Sequence, residues 1–479
     1  MILCLRCLIL LVSICTLPTS SGFGGEIEEG FGDLHLAEQW SGDFDGMVER
    51  KLIRVLVVHN KMLYFLDQGR QRGVNVDMFD AFKKFINKKE KSGTVKIKIL
   101  FLPVQRDQLF TALAEGRGDI VAANLTITPE RQKLVDFSNP LLKGVKEIVV
   151  AGPGQPELRS IDDLAGKELH LRPSSSYYQH VVTLNRDFEQ RGLAPIMIVE
   201  ASEFLEDSDL LEMVNAGLIP MVIVDDHKAR FWAEIFEKVI LYHDIAVNEG
   251  GEIAWAFRND SPKLAAVINE FVQQHRKGSL LGNIIFKRYL KDNKWARNAL
   301  DPEEMGKFEK VVGLFEKYAD TYDFDYLMTG ALAYQESQLD HSKKSHVGAL
   351  GIMQILPSTA AGKNVGIPDI EQLEKNIHAG HKYLRFIQDR YFNDPQIDTL
   401  NKYLFTFAAY NAGPAKVNRL RQEAEKKGLD PNVWFQNVEV IAAKRIGRET
   451  VQYVSNIYKY YISYKLAQDK AGRGKGKPK

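Results

Sequence analysis

Cysteine is almost absent from this 479-residue chain: the only three, Cys4, Cys7 and Cys15, fall within the first fifteen residues. That excludes a disulfide framework and a cysteine metal site from everything downstream. No charge of one sign prevails. Lysine and arginine number 63, aspartate and glutamate 62, so the chain offers no overall field for nucleic acid or for an anionic membrane. Long apolar runs are missing beyond the amino terminus, and with them any second candidate for a membrane span. Strand-like sequence fades after about residue 294, and no internal repeat is visible. The length exceeds one ordinary core, so several domains are expected.

The first residues, "MILCLRCLILLVSICTLPTSSGFGG", carry one arginine, an apolar stretch and then small residues. They read as a secretory signal peptide over residues 1–22. Two other readings compete. An uncleaved anchor would need about 20 apolar residues, and the stretch from Cys7 to Leu17 is shorter. A lipid-modified Cys15 would follow a small residue, and Ile14 is not one. The mature protein is expected to be exported to the periplasm of a Gram-negative-type cell, peripheral at the outer membrane if membrane-associated at all. Residues 23–49 are rich in glycine and acid and read as a linker. The basic end, 469–479, reads as a solvated tail.

What is present divides into two textures. From Leu52, short strand-like runs such as "LIRVLVV" (52–58), "DIVAAN" (119–124), "PMVIVDD" (220–226) and "EIAWAF" (252–257) alternate with helical patterns such as "VDMFDAFKKFINKK" (76–89). That alternation argues for an α/β fold with a mainly parallel sheet. An amphipathic run, 261–290, closes the block. A connector is expected over 294–305. The rest is helical in pattern, including "DYLMTGALAYQE" (325–336), "YLFTFAAYNAG" (403–413) and "ETVQYVSNIYKYYISYKLAQ" (449–468). Asp323 or Asp325 can cap the helix that ends at Glu336.

In the first half, "LFTALAEGRGDIVAANLTITPERQKLVDFSNPLL" (109–142) is the distinctive segment. By itself it leaves Arg131 open between a solvated helix start and an anion ligand. The segment resembles the family-3 periplasmic solute-binding proteins, a resemblance that spans 50–293. It implies a two-lobed α/β clamp closing on a ligand at its hinge. It further implies that Arg131 receives an α-carboxylate, a task that suits a planar guanidinium. Thr126 and Thr128 would contribute first-lobe contacts, Asp225 the acid for an α-ammonium, and Tyr64 or Phe65 a wall. The second-lobe segment "RPSSSYYQHV" (172–181) lacks the glycine common in amino-acid binders, which argues against a classical free amino acid and leaves a muropeptide-like ligand, an amino acid, or a clamp that no longer binds as the alternatives.

In the second half one glutamate, Glu336 in "AYQES", is followed by "SHVGALGIMQI" (345–355), "AAYNAG" (408–413) and "ETVQYVSNIYKYY" (449–461). A carboxylic acid that protonates a leaving oxygen at neutral pH needs an apolar setting. Leu332, Tyr334, Ile352 and Met353 are the candidates for that wall. Asp340 is the nearest second carboxylate for a two-carboxylate glycosidase and reads as a loop residue. The four motifs, in this order, resemble the lysozyme-like soluble lytic transglycosylases, all-α over residues 306–468. "GIMQ" stands here for the family's "GLMQ", a volume-conserving change. The pairing of the two halves resembles the membrane-bound lytic murein transglycosylase F family. It implies peptidoglycan glycan strands as partner, no cofactor and no metal. Glu336 would serve as acid and then base, with Ser345, Met353, Gln354, Tyr410, Asn411 and Tyr453 in contact with the sugar. Hydrolysis by a true muramidase, or a sensor whose helical half only holds glycan, are the competing functions.

Overall fold

The computed structural model describes residues 39–67, 70–275, 300 and 302–475. The expected signal peptide with its three cysteines, and residues 276–299 with the second half of the 261–290 run, lie outside them.

Six strands form the spine of the first half: β1 (Leu52–Val57), β4 (Lys98–Pro103), β5 (Ile120–Thr126), β7 (Leu142–Ala151), β10 (Met221–Asp225) and β11 (Ile240–Phe257), in the order β10-β7-β11-β5-β1-β4. A seventh, β6 (Asp136–Phe137), also pairs with β11, while β2 (Phe65–Asp67) and β3 (Arg70–Arg72) form a separate hairpin and the short α3 (Leu109–Ala114) lies between β4 and β5. The pairs β1–β4 and β1–β5 are parallel, whereas β11 runs antiparallel to β5 and β7, and β10 antiparallel to β7. The sheet is therefore mixed, not mainly parallel as the strand–helix alternation suggests. The cause is that β7 and β11 cross between two lobes. Near Val145 and Gly251 they belong to the first; between Glu147–Ala151 and Ile240–Asn248 they belong to the second, with register shifts between. Two long antiparallel strands make a hinge that bends without breaking either lobe's core.

The first lobe packs α2 (Val74–Lys89) and α8 (Pro262–His275) over the sheet, burying Phe79, Phe82, Trp255 and Phe271 in mutual ring contact. The second lobe carries the parallel pair β8 (Glu168–Leu171) and β9 (Met197–Glu200) with α5 (Ser176–Gln190) around its own apolar cluster, while α6 (Asp207–Asn215) and α7 (Asp226–Ala233) bury residues such as Leu211, Val214 and Trp232 in the main core.

Part of the expected linker is structured. Residues 44–49 form α1, with Asp43 as its cap and Phe44 and Met47 buried. Asp43 also accepts from Lys263 N and Leu264 N at 2.8 Å, stitching α1 to the start of α8. Trp40 lies under the Arg50 guanidinium, 3.6 Å from ring to carbon. A tryptophan and two phenylalanine-spaced acids within "QWSGDFDGMVE" are the signal that marks this segment as a docked helix.

The second half is all helix apart from turns: α9 (Pro302–Tyr322), α10 (Tyr326–Ser337), α12 (Leu373–Tyr391), α13 (Thr399–Ala412), α14 (Pro414–Lys426) and α16 (Arg448–Lys475) are its main members, with short α11 (Pro357–Ala361) and α15 (Glu439–Arg445) between them. Thus α9 begins inside the expected connector and α16 runs into the expected tail. Helix α10 is buried over Leu327–Tyr334 on every face, as a helix with no polar stripe must be. Its neighbours are α9 and α16. Asp325, rather than Asp323, caps it, accepting from Leu327 N at 2.8 Å.

Helical half and clamp touch directly. Arg448 donates to the Tyr64 hydroxyl (3.1 Å), Gln452 accepts from Leu66 N (3.0 Å) and Gln436 donates to Gln105 (2.7 Å), all on the first lobe. On the second lobe Lys459 pairs with Asp209 at 3.1 Å, and Phe204 packs against Phe435 and Tyr458.

Candidate functional site

Helix α10 ends at the residue of interest. Glu336 sits in its last turn, and the chain then leaves the helix through two left-handed residues, Gln338 (φ 58°) and Leu339 (φ 59°). A left-handed leucine is costly, on the order of 1 kcal/mol or more. It is held because Leu339 is buried and because Ser337 ties the helix end to the next loop, its hydroxyl donating to Ile352 O at 2.8 Å.

That loop is "GALGIMQI". Gly351 has φ 74°, and a Cβ there would lie 2.4 Å from the Asn376 amide, so only glycine fits. Asn376, buried on α12, accepts from Met353 N (2.9 Å) and donates to Leu350 O (2.9 Å), clamping the loop against the helical core. Gly413 (φ 95°) turns α13 into α14 where the sequence places its "AAYNAG" motif.

Tyr453, on α16, donates its hydroxyl to Glu336 Oε1. Tyr410, on α13, stands beside Glu336 and donates to Met353 O at 2.7 Å. Burial raises the Glu336 carboxyl to about 7, and the Tyr453 hydrogen bond opposes that only in part. Both tyrosines are pushed well above their ordinary range, by burial first and then by Glu336 itself, so each stays a neutral donor. Asp340 does not complete a carboxylate pair. It accepts from the Ser342 backbone and hydroxyl, and these bonds hold its pKa below the usual value.

A raised pKa alone does not single out Glu336, because burial lifts Glu439 to about 7 as well. Glu439 lines a cavity of about 40 Å³ between the clamp and the helical half, with Arg106, Phe435 and Lys459. What distinguishes Glu336 is its tyrosine pair and its motif loop.

Several expected contacts are placed elsewhere. The Met353 side chain is 0% exposed and packs against Gly380, so it supports the loop and offers a sugar nothing but its backbone. Tyr334 stacks edge-on against Tyr460; two residues from Glu336, it lies on the opposite side of the helix and does not wall the carboxyl. Gln354 (φ 46°) donates its amide to Lys343 O and Gly351 O, closing the loop. Ser345 accepts from Ala349 N at 2.9 Å. Asn411 accepts from Thr450 at 2.7 Å and is exposed.

The clamp brings Arg131, Thr126, Thr128 and Asp225 to the meeting of the two lobes. Thr128 caps the short helix α4 (Pro129–Gln132) and donates to Gln179 at 3.3 Å. Arg131 donates to Thr126 O (2.9 Å) in its own lobe and Ser174 O (3.0 Å) in the other. Burial, helped by nearby Arg106, lowers its pKa to about 10. Tyr64 is no pocket wall: it is 0% exposed, packed against Phe101 and bonded to Arg448. Sequence reading also missed a buried charge network here. Arg106 makes two hydrogen bonds to Glu206, Arg172 pairs with Asp207 at 2.5 Å, and Lys228 with Asp207 (2.7 Å) and Asp225 (2.9 Å). Burial works against each charge, but the opposing partners outweigh it, lowering Glu206 and Asp207 and raising Lys228.

Residues 313–432 match the family described as Transglycosylase SLT domain, and residues 53–291 that described as Bacterial extracellular solute-binding proteins, family 3. The chain carries both domains and is a transglycosylase of the lytic class, a lyase, with a two-lobed solute-binding domain in front. Along most of its length it is similar to proteins named membrane-bound lytic murein transglycosylase F. That of Desulfosudis oleivorans is 28% identical over 430 residues, covering 85% of this chain and 89% of the relative. That of Pseudomonas fluorescens is 25% identical, covering 86% and 84%. An ancestral arginine-binding protein bound to arginine aligns with 50% of this chain and 98% of its own, at 24% identity and a TM-score of 0.41.

Proposed function

We propose that the protein cleaves the β-1,4 bond between N-acetylmuramic acid and N-acetylglucosamine in peptidoglycan and releases a 1,6-anhydro-muramic end. The relatives' names supply murein as the substrate. The observation that carries the reading is Glu336 itself: a single inward-turned carboxyl raised to about 7, with Tyr453 donating to it and Asp340 engaged elsewhere. A carboxyl poised near neutrality can give a proton to the leaving oxygen and then take one back. The sugar's own N-acetyl oxygen steadies the developing cation. Glu336, now ionised, removes the proton of the C6 hydroxyl, and that oxygen closes onto the anomeric carbon. No water is consumed. A two-carboxylate hydrolase would set a second acid to work beside Glu336, and Asp340 is bound to Ser342 in its own loop.

Purified protein acting on peptidoglycan tests this by product mass. Products lighter by one water than the hydrolytic ones are expected, and Glu336→Gln should release none. Hydrolytic products alone, or turnover by Glu336→Gln at the wild-type rate, would contradict the assignment. The clamp is read as the site for an anionic ligand held by Arg131. Export and peripheral attachment at the outer membrane complete the proposal; among the described residues no helix is long and apolar enough to cross a membrane.

A further inference from the structure

Asp225 is the acid expected to meet a ligand's α-ammonium, yet the chain supplies an ammonium of its own. Lys228 stands one helical turn on, and its Nζ lies 2.9 Å from Asp225 Oδ2. The same Nζ is 2.7 Å from Asp207 Oδ2 and 3.2 Å from the Tyr177 hydroxyl. Three oxygens from α7's cap, α6 and α5 thus hold it, and Lys228 is only 6% exposed. Asn124, from the first lobe, donates to Asp225 Oδ2 at 2.8 Å. The other oxygen, Asp225 Oδ1, is buried with no hydrogen-bond partner.

Arg131 presents the opposite case. Its partners are two carbonyls, which carry no net charge, and among the described residues no carboxylate lies within ion-pair distance of it. Arg106 is paired with Glu206 and Arg172 with Asp207, while buried Glu147 accepts from the uncharged Ser176 hydroxyl and lies against His180, a pair that is ionic only when the imidazole is protonated. Of the two groups expected to grip a ligand, Arg131 has no direct ion pair, whereas Asp225 already has one.

We infer that Lys228 is a specificity-determining residue of the clamp, an internal counter-ion that favours a carboxylate with an uncharged α-substituent, a hydroxyl or an acylated nitrogen, over a free α-amino acid. The inference rests on reading the clamp as a ligand site. A second ammonium brought to Asp225 would face Lys228 in a buried setting, where like charges are strongly unfavourable. A hydroxyl or amide N–H needs only a lone pair, and Asp225 Oδ1 offers one. At the other end Arg131 needs a full negative charge. A zwitterion satisfies the second demand and violates the first.

The test is calorimetry on the full chain with L-lactate, L-alanine and N-acetyl-L-alanine; the first two differ in little but hydroxyl against ammonium. Wild type should bind lactate and the N-acetyl acid at least ~10-fold more tightly than alanine. Lys228→Met alone leaves the buried network one cation short, so Lys228→Met/Asp207→Asn, which restores its net charge and leaves Arg172 beside Glu206 at 3.8 Å, is measured beside it. That double variant should reverse the order in favour of alanine by ~10-fold or more. Equal affinities in wild type, or an unchanged order in the double variant, would overturn the role of Lys228 while leaving the clamp a binding site. Binding of none of the three by either protein would overturn both the inference and the clamp reading.

Discussion

Replacing Glu336 by glutamine should stop the chemistry and stabilise the fold, and the gain should depend on pH. A glutamate in the unfolded chain titrates near 4.5, whereas burial lifts Glu336 to about 7. The folded state then binds the proton more tightly than the unfolded state does. By linkage, stability is unpenalised below the unfolded value, falls as pH rises between the two, and carries the whole penalty above the folded one. At about 1.4 kcal/mol per pH unit, the lift corresponds to about 3 kcal/mol. That is an upper figure, because Glu336 keeps partial contact with solvent. The amide keeps the shape and has nothing to titrate. It should therefore match wild type near pH ~4 and exceed it by up to about 3 kcal/mol near pH ~8. Urea denaturation of both proteins across that range measures the difference directly. A gain that does not grow with pH, or a loss at alkaline pH, would mean that burial does not hold Glu336 neutral, and the acid–base role would lose its physical basis.

Tyr453→Phe removes the donor that favours the Glu336 carboxylate, so the alkaline limb of the rate–pH profile should move upward by about one pH unit; a downward move contradicts the assigned donor. Asp340→Asn should leave turnover near wild type, since that carboxylate serves its own loop; loss of turnover would reinstate a two-carboxylate mechanism. Arg131→Ala should weaken an anionic clamp ligand by ~30-fold or more, read by calorimetry. Saturating the clamp should change glycan affinity of the Glu336→Gln protein by about 5–150-fold, and identical affinities with and without ligand would show the two halves to be independent.

The halves differ in how much of them the sequence discloses. Fold class follows from periodicity, because strands such as "LIRVLVV" and the apolar helix before Glu336 are local patterns. The mixed sheet does not follow, because the first part of β11, "ILYHDIAVNEGG", mixes polar and apolar residues and its pairing with β7 is set across about a hundred residues. Glu336 and Tyr453 are legible through their motifs, although 117 residues separate them. Met353 misleads for a physical reason: it shares a loop with functional neighbours, but alternation along an irregular turn does not tell which side chain points inward. Tyr64 misleads similarly, since a buried aromatic suits a ligand wall and an interdomain contact alike. The clamp's charge network is invisible beforehand. Arg106 meets Glu206 across the two lobes, and Arg172 and Lys228 meet at Asp207 within the second, yet each alone reads as an ordinary surface charge.

Helix α16 is where these threads meet. Arg448, Gln452 and Lys459 recur at four and seven residues, so they share one face, and that face holds Tyr64 and Leu66 of the first lobe and Asp209 of the second. Tyr453, a hundred degrees around the same helix, holds Glu336. A packed helix moves as a body more readily than it deforms. Hinge motion that separates the lobes must therefore either break one set of these contacts or carry α16 with it. A displacement of α16 alters the Tyr453–Glu336 hydrogen bond, which weakens steeply with distance and angle. The same bond sets part of the carboxyl's proton affinity. Position of the clamp and acidity of Glu336 should therefore shift together, and a rate–pH profile unchanged by saturating clamp ligand would show that they do not.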